Sequence, residues 1–522
     1  MRVTHRVLYS DNSTAGFIVE SQQYVEYRDV LENIKAFDNV YSTKDGVIKS
    51  NKGKLKTISK EEYNKSIYDR LVNECPLVRD VQCKLEDWEH KKDKSILMLN
   101  GARQTGKTTE LSKFAYKHFE DVIYINLGYE QVRNKFISIV IHSNNKFMGM
   151  YNYCTEVIKQ KRFIDSQNTI IIIDEIQESP EVFNSLRSLK SELKCKIAIT
   201  GSYLARVLNK DFFQPAGDTY EVELNPLSFR EICRALGKED ILNNISALGE
   251  SSSKDYKELT QVFYLYTSIG GYPAVVREYI KYKNKDKCTQ LIKNIVSRFT
   301  DESAHYFTDD RCRLVFNNVY KAAVLVQARE KKGTDNKLTE IATDFVKSGS
   351  KTPVSRQEVN QALAWLSYNG ILGYCDMYNN GNPFDLLTER RTYFRDCGIL
   401  RYIIGTTAIP EEASKGLIAE TFVYNELYQL YKEIPKKVKG DKPCCSVKGA
   451  YELDFMLIDL ADKKYGIEVK SNKASNPKSL SYYLQYKLID DGIIAEVTKG
   501  GQGSKWKTIP IYLVGEKFPY NN

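Results

Sequence analysis

The stretch Ser95-Ile-Leu-Met-Leu-Asn-Gly-Ala-Arg-Gln-Thr-Gly-Lys-Thr-Thr109 decides how this chain is read. Ile96, Leu97, Met98 and Leu99 form the short apolar run of a buried strand. It leads directly into Gly101-Ala102-Arg103-Gln104-Thr105-Gly106-Lys107-Thr108, which satisfies G-x-x-x-x-G-K-[ST] at every defined position. Leu111, Phe114 and Ala115 then recur at helical spacing, so a helix follows, with Thr109 in its first turn. Strand, glycine loop and helix together make a phosphate cradle. The glycines let backbone N–H groups turn inward, and the helix N-terminus adds its positive end. Lys107 is placed for the β- and γ-phosphates of ATP, and the Thr108 hydroxyl for Mg²⁺.

Downstream, residues 121–127 form a second apolar run. Thr169-Ile-Ile-Ile-Ile-Asp174-Glu175 is a third, and four successive isoleucines predict a strand buried on both faces of a parallel sheet. The strand ends in two acids. Asp174 suits the Mg²⁺ shell, and Glu175 is placed to polarise an attacking water as general base. Lys196-Ile-Ala-Ile-Thr200-Gly-Ser202 is a fourth strand ending in hydroxyl residues. Thr200 or Ser202 at its tip is either a γ-phosphate sensor or part of an ordinary strand-ending turn. Helical patterns between the strands predict a three-layer α/β unit, with nucleotide beyond the carboxyl ends of the strands.

With 522 residues the chain is too long for one core. No run approaches 18 apolar residues, so no membrane span is expected, and Met1-Arg-Val-Thr-His-Arg6 is not followed by a signal-peptide core. Eleven cysteines without a C-x-x-C pair suit neither a disulfide framework nor a zinc site, and predict a reducing cytoplasm. Lys plus Arg number 76 against 67 Asp plus Glu, a net charge of +9 that permits DNA binding without arguing for it. Oligomeric state is not legible.

Residues 1–68 read as a small β-rich appendage with strands near 6–9, 16–19 and 46–49. Residues 69–94 read as a helical lead-in, and residues 225–310 as a helical lid that begins at Asn225-Pro-Leu-Ser-Phe-Arg-Glu231 and contains a Gly270-Gly-Tyr-Pro273 turn. Residues 311–395 read as a winged-helix-like domain: Leu338, Ile341, Ala342 and Phe345 on one helix, and a Ser355–Glu358 capping box opening a second. A strand follows over 371–377. The second helix presents Arg356, Gln357 and Asn360 to DNA, or serves only as a connector.

Residues 396–522 hold a second set of acids. Strands around residues 452–459 and 465–471 flank the tight 460–464 turn. That hairpin sets Asp454 opposite the Glu468 to Lys470 stretch, and Lys470 shares a face with Glu468. Asp followed by Glu-x-Lys on the next strand is the pattern of PD-(D/E)xK nucleases, in which Asp454 and Glu468 hold Mg²⁺ and Lys470 orients water. Glu420, on a preceding helix, completes the metal shell in this reading. An inactive nuclease-like fold fits the same residues.

These stretches, with Asp174-Glu-Ile-Gln177, Tyr393-Phe-Arg-Asp-Cys-Gly398, Gly416-Leu-Ile-Ala-Glu420 and Ile467-Glu-Val-Lys470, resemble the prokaryotic AAA-type P-loop ATPases that carry a C-terminal restriction-endonuclease-like domain. The resemblance covers residues 90–515. It implies an additional-strand ATPase over 69–224, with the fourth strand between the P-loop strand and the Asp174 strand. It also implies a Mg²⁺-dependent ATP hydrolase coupled to a DNA-interacting, nucleolytic module, the alternative being an ATP-controlled switch whose inactive nuclease-like domain binds a partner. One feature departs from the family: Gly217 is followed by Asp218 where an arginine is usual, which leaves the γ-phosphate arginine open, with Arg206 as a replacement to consider.

Overall fold

The four isoleucines, Ile170 to Ile173, alternate between two cores, and this places the first sheet at the centre of its layers. Ile171 and Ile173 pack with Ile123, Ile125 and Phe136 on one face. Ile170 and Ile172 pack with Leu111, Phe114 and Trp88 on the other. A strand with no polar face needs a cover on both sides, and helices supply it. The computed structural model describes residues 1–8, 14–19, 24–26, 30, 34–37, 40–43, 48–50, 55–91, 93–158, 163–201, 218–306, 311–329, 355–378, 390–432, 435–471 and 477–520. The chain divides into two units, Met1–Gly101 with Gly106–Leu224, and Ala102–Thr105 with Asn225–Asn522.

The first unit opens with β1 (Val3–Leu8), β2 (Thr14–Val19), β3 (Tyr24–Glu26), β4 (Val40–Ser42), β5 (Ile48–Ser50) and β6 (Lys56–Ser59). They form a four-stranded sheet in the order β3-β2-β1-β6 and a separate β4-β5 hairpin. Val3, Phe17, Val30, Phe37 and Ile48 share one core. A Ser59–Glu62 capping box starts the helix Lys60–Glu74. The Asn64 side-chain amide on that helix donates to the carbonyls of Phe119 (2.9 Å) and Glu120 (2.8 Å).

The central sheet contains β7 (Ile96–Asn100), β8 (Asp121–Asn126), β9 (Thr169–Asp174), β10 (Lys196–Thr200) and β11 (Thr219–Glu223). All run parallel, in the order β11-β7-β10-β9-β8. β10 therefore lies between the P-loop strand and the strand ending in Asp174, as the resemblance implies. β11 was not foreseen. Its sequence, Thr-Tyr-Glu-Val-Glu, buries only Val222, so as an edge strand it lacks the apolar run that marks its neighbours.

In the second unit the predicted turn at Gly270 joins three motifs that lie far apart in sequence. Gly270 has φ +72°, and a Cβ there would fall 2.3 Å from an Asp396 carboxylate oxygen. The Gly271 N–H donates to that carboxylate at 2.7 Å, the Leu227 N–H donates to the Gly271 carbonyl at 2.7 Å, and Arg395 donates to the Asn225 side chain at 2.6 Å. Asp396 also caps the helix Cys397–Ile404 through the Ile399 N–H. Beside this junction, Phe229, Phe263 and Tyr266 pack on Phe422, with centroid separations of 4.8 to 5.7 Å.

The helix Arg356–Tyr368 has its Ser355–Glu358 capping box and buries Val359, Ala362, Leu363, Trp365 and Leu366. Gln357 and Asn360 are exposed. The other predicted helix of the winged-helix reading, and the Arg356 side chain, lie outside the described residues. An eight-stranded sheet follows: β12 (Leu372–Met377), β13 (Arg390–Phe394), β14 (Cys444–Lys448), β15 (Tyr451–Ile458), β16 (Lys464–Lys470), β17 (Asp491–Glu496), β18 (Gly501–Gln502) and β19 (Lys507–Pro510). Its order is β13-β12-β14-β15-β16-β17-β19-β18. The strand read over 371–377 thus belongs to the C-terminal sheet, as β12.

Glu426, on the helix Glu411–Tyr431, is fully buried beneath this aromatic cluster and accepts from the Phe229 N–H at 3.1 Å. Burial, then the nearby Glu516 charge, raises its pKa to about 8. The folded state therefore holds this proton more tightly than the unfolded chain does. The associated stability is present below the ordinary carboxylate pKa and is lost as pH rises to 8, by an amount on the order of 5 kcal/mol. Asp396, raised by burial to about 6, acts with the same sign over a lower range. Glu426→Gln is expected to flatten the fall in melting temperature between pH 6.5 and 8.5, measured by thermal unfolding of both proteins across that range.

Candidate nucleotide site

The loop between β7 and the helix Lys107–His118 has the backbone its glycines predict. Gly101 has φ +145°, and a Cβ there would meet the Leu224 carbonyl at 2.2 Å. Gly106 is the helix N-cap at φ +95°. Between them, Thr105 Oγ1 donates to the Ala102 carbonyl at 2.8 Å, and Gln104 takes a positive φ of 64°. Lys107 Nζ donates to the Gly101 carbonyl at 3.0 Å, so the ammonium lies along the loop. Thr109 follows Thr108 in the first helical turn.

Thr108 Oγ1 donates to Asp174 Oδ2 at 2.9 Å. The two residues read as metal-shell ligands from motifs 66 positions apart therefore meet, because parallel strands bring the loop after β7 and the end of β9 to one edge of the sheet. The other oxygen, Asp174 Oδ1, accepts from the Glu175 N–H at 2.9 Å. Glu175 has φ 53°, uncommon for a residue with a Cβ, and its carboxylate accepts a hydrogen bond from Gln177. At the tip of β10, Thr200 is buried and its hydroxyl has no partner among the described residues. A buried orphan hydroxyl beside a phosphate loop suits a ligand oxygen. Ser202, Arg206 and Gly217 lie outside the described residues. Asp218 pairs with Arg187 and Lys190, each at 2.7 Å.

Tyr124 was missed in the sequence. From β8 its hydroxyl donates to Asp174 Oδ2 at 2.6 Å. Burial, then the bond to Asp174, raises its pKa well above the ordinary phenol value. No local sequence signal marks it, because its place beside Asp174 follows from the register of β8 against β9.

The C-terminal acids are arranged differently. β15 and β16 pair antiparallel with Phe455 opposite Ile467, so Asp454 lies across from Glu468. Asp454 Oδ2 accepts from the Val469 N–H at 2.7 Å. Its other oxygen faces Arg391 NH1 at 3.7 Å, and the same guanidinium contacts Glu452. Glu468 pairs with Lys470. Glu420 lies within electrostatic reach of Arg391. Arg391 and Lys470 thus supply the positive charge that a metal would bring, and among the described residues no three His, Cys, Asp or Glu side chains group to hold a metal. The residues read as a nuclease metal shell are thus held by cationic and main-chain partners in this arrangement.

Residues 93–233 match the family model described as an AAA domain, AAA_14. Residues 260–409 match a family described as a domain of unknown function, DUF8612. Together with the parallel five-stranded sheet, the first match assigns the chain an α/β P-loop ATPase fold. A Walker-type ATPase of Pyrococcus abyssi aligns at 13% identity over 63% of this chain and 96% of its own, with a TM-score of 0.38. The Orc1 protein of Aeropyrum pernix, in complex with DNA, aligns at 11% identity over 66% and 92%, with a TM-score of 0.28. The RuvB branch migration motor of Thermotoga maritima aligns at 10% identity over 60% and 88%, with a TM-score of 0.24. Comparison with curated proteins gives no match. Among the described residues, no helix is long and apolar enough to cross a membrane.

Proposed function

We propose that this protein is a Mg²⁺-dependent ATP-binding and ATP-hydrolysing enzyme of the AAA type. The observation that carries the reading is the 2.9 Å bond between Thr108 and Asp174, which joins the phosphate loop to the strand end that bears Glu175. When bound, Mg²⁺ neutralises phosphate charge, and Thr108 and Asp174 are the residues that hold it. Lys107 and the loop N–H groups bind the phosphates. Glu175 takes the proton of the attacking water, and Thr200 orients a γ-phosphate oxygen. The test is phosphate release from ATP by the purified chain, with Mg²⁺ and with EDTA. Release that needs Mg²⁺ supports the reading, and no ATP binding in either condition overturns it.

For the C-terminal sheet, the alternative of a switch is the better supported. The order of the helix Glu411–Tyr431, β14, β15, β16, the helix Lys478–Gln485 and β17 supports a nuclease-like fold. Arg391 against Asp454 and Glu452 favours a site that does not cut. The proposed role is ATP-controlled contact with a partner, DNA being the one the sequence permits. The expected result is no cleavage of single- or double-stranded DNA in Mg²⁺ or Mn²⁺, with or without ATP. Cleavage that is lost in Asp454→Asn would restore the nuclease reading.

A further inference from the structure

We infer that Tyr124 is a positioning residue for Asp174 and sets how strongly Mg²⁺ tightens nucleotide binding. The inference rests on the ATP-site reading above and adds to it a residue that neither motif contains.

The geometry is a short relay at the carboxyl end of the sheet. β8 runs parallel to β9 with Tyr124 beside Ile172 and Asn126 beside Asp174. Tyr124 and Asn126 are two apart on one strand and so share a face. The Gly128 N–H donates to Asn126 Oδ1 at 2.9 Å, Asn126 Nδ2 donates to the Tyr124 hydroxyl at 3.4 Å, and that hydroxyl donates to Asp174 Oδ2 at 2.6 Å. Asp174 Oδ1 is held by the Glu175 N–H. Both oxygens of the carboxylate thus have a donor from the protein besides Thr108, and together these donors fix the plane of the group.

A carboxylate has about four lone-pair sites, so accepting from Tyr124 and Thr108 leaves Oδ2 little capacity to spare but does not exhaust the group. Thr108 is the partner whose hydroxyl a metal would draw away. Tyr124 is not a phosphate-loop residue, so its bond persists as the fixed one. Hydrogen bonds from outside the metal shell that orient a ligand typically change metal affinity by roughly 10- to 100-fold. The tyrosine body is itself 41% exposed, so its ring is not a core element, and removing the hydroxyl alone leaves the packing in place.

The experiment is a titration of a fluorescent ADP analogue into wild-type and Tyr124→Phe protein, once in EDTA and once over a Mg²⁺ series. The expected result is unchanged affinity in EDTA, with the Mg²⁺ concentration that half-saturates the tightening raised roughly 10-fold or more. Asn126→Ala, which removes the donor behind the tyrosine, should move that concentration the same way by less. A merely structural role would lower the melting temperature and weaken both titrations alike. An unchanged or strengthened Mg²⁺ response in a folded Tyr124→Phe protein overturns the inference. Failure of the wild-type protein to bind the analogue at all would instead overturn the ATP-site reading.

Discussion

Lys107→Ala is expected to abolish measurable ATP binding while leaving the fold intact. Lys107 stands at the first position of its helix, directly after the left-handed Gly106 N-cap, so alanine there keeps a good helix former. Its ammonium bonds the Gly101 carbonyl at 3.0 Å, a contact that a phosphate oxygen of stronger charge would displace. Removing one partner of a close, partly desolvated charge pair costs about 3–5 kcal/mol, because the other charge is left uncompensated. That corresponds to a loss of roughly 10²- to 10⁴-fold in affinity. The backbone N–H groups and the helix end remain, and they carry only partial charges. Equilibrium binding of labelled ATP to wild-type and variant proteins of equal melting temperature measures the difference. Retained affinity within a few-fold would mean that phosphate is not bound at this loop.

The phosphate loop was legible because everything it needs is local. Gly101, Gly106, Lys107 and Thr108 lie within eight residues, and both glycines take the backbone angles that motivate their presence. The isoleucine run was legible for a related reason, since a strand covered on both faces writes its burial into consecutive residues. The partners of Asp174 were not legible to the same degree. Thr108 was named from its motif, but Tyr124 depends on the register of β8 against β9, and nothing in a tyrosine two residues before Asn126 states that register.

The C-terminal acids illustrate the same limit with a larger consequence. The hairpin of Asp454 and Glu468 could be read from a tight turn between two alternating strands, and the pairing of Phe455 with Ile467 agrees with it. The sign of the site could not. Arg391 arrives from β13, more than sixty positions before Asp454 and three strands along the sheet, and no periodicity ties it to those carboxylates. A single guanidinium supplied from that distance lies against two of those carboxylates, Glu452 and Asp454. The junction of Leu227, Gly271 and Asp396 makes the same point for packing: three stretches far apart in the sequence prove to be parts of one hydrogen-bonded corner.

Glu175→Gln is expected to bind ATP as the wild type does and to turn it over at least 10²-fold more slowly. The substitution keeps the shape of the side chain and removes the capacity to accept a proton in the hydrolytic step, and the loss of a positioned general base costs roughly 10²- to 10⁴-fold. Local structure favours a clean result. The Glu175 N–H, which holds Asp174 Oδ1 at 2.9 Å, is main chain and survives the change. The left-handed backbone at φ 53° is set by the turn into the short helix Ile176–Glu178 and is no worse for Gln than for Glu. The hydrogen bond from Gln177 can pass to the new amide oxygen. Single-turnover phosphate release separates the chemical step from product loss, and a parallel binding titration separates it from affinity. A slowed step with unchanged affinity identifies Glu175 as the base. A variant as fast as the wild type would remove Glu175 from that role and leave water activation to another group at the edge of the sheet.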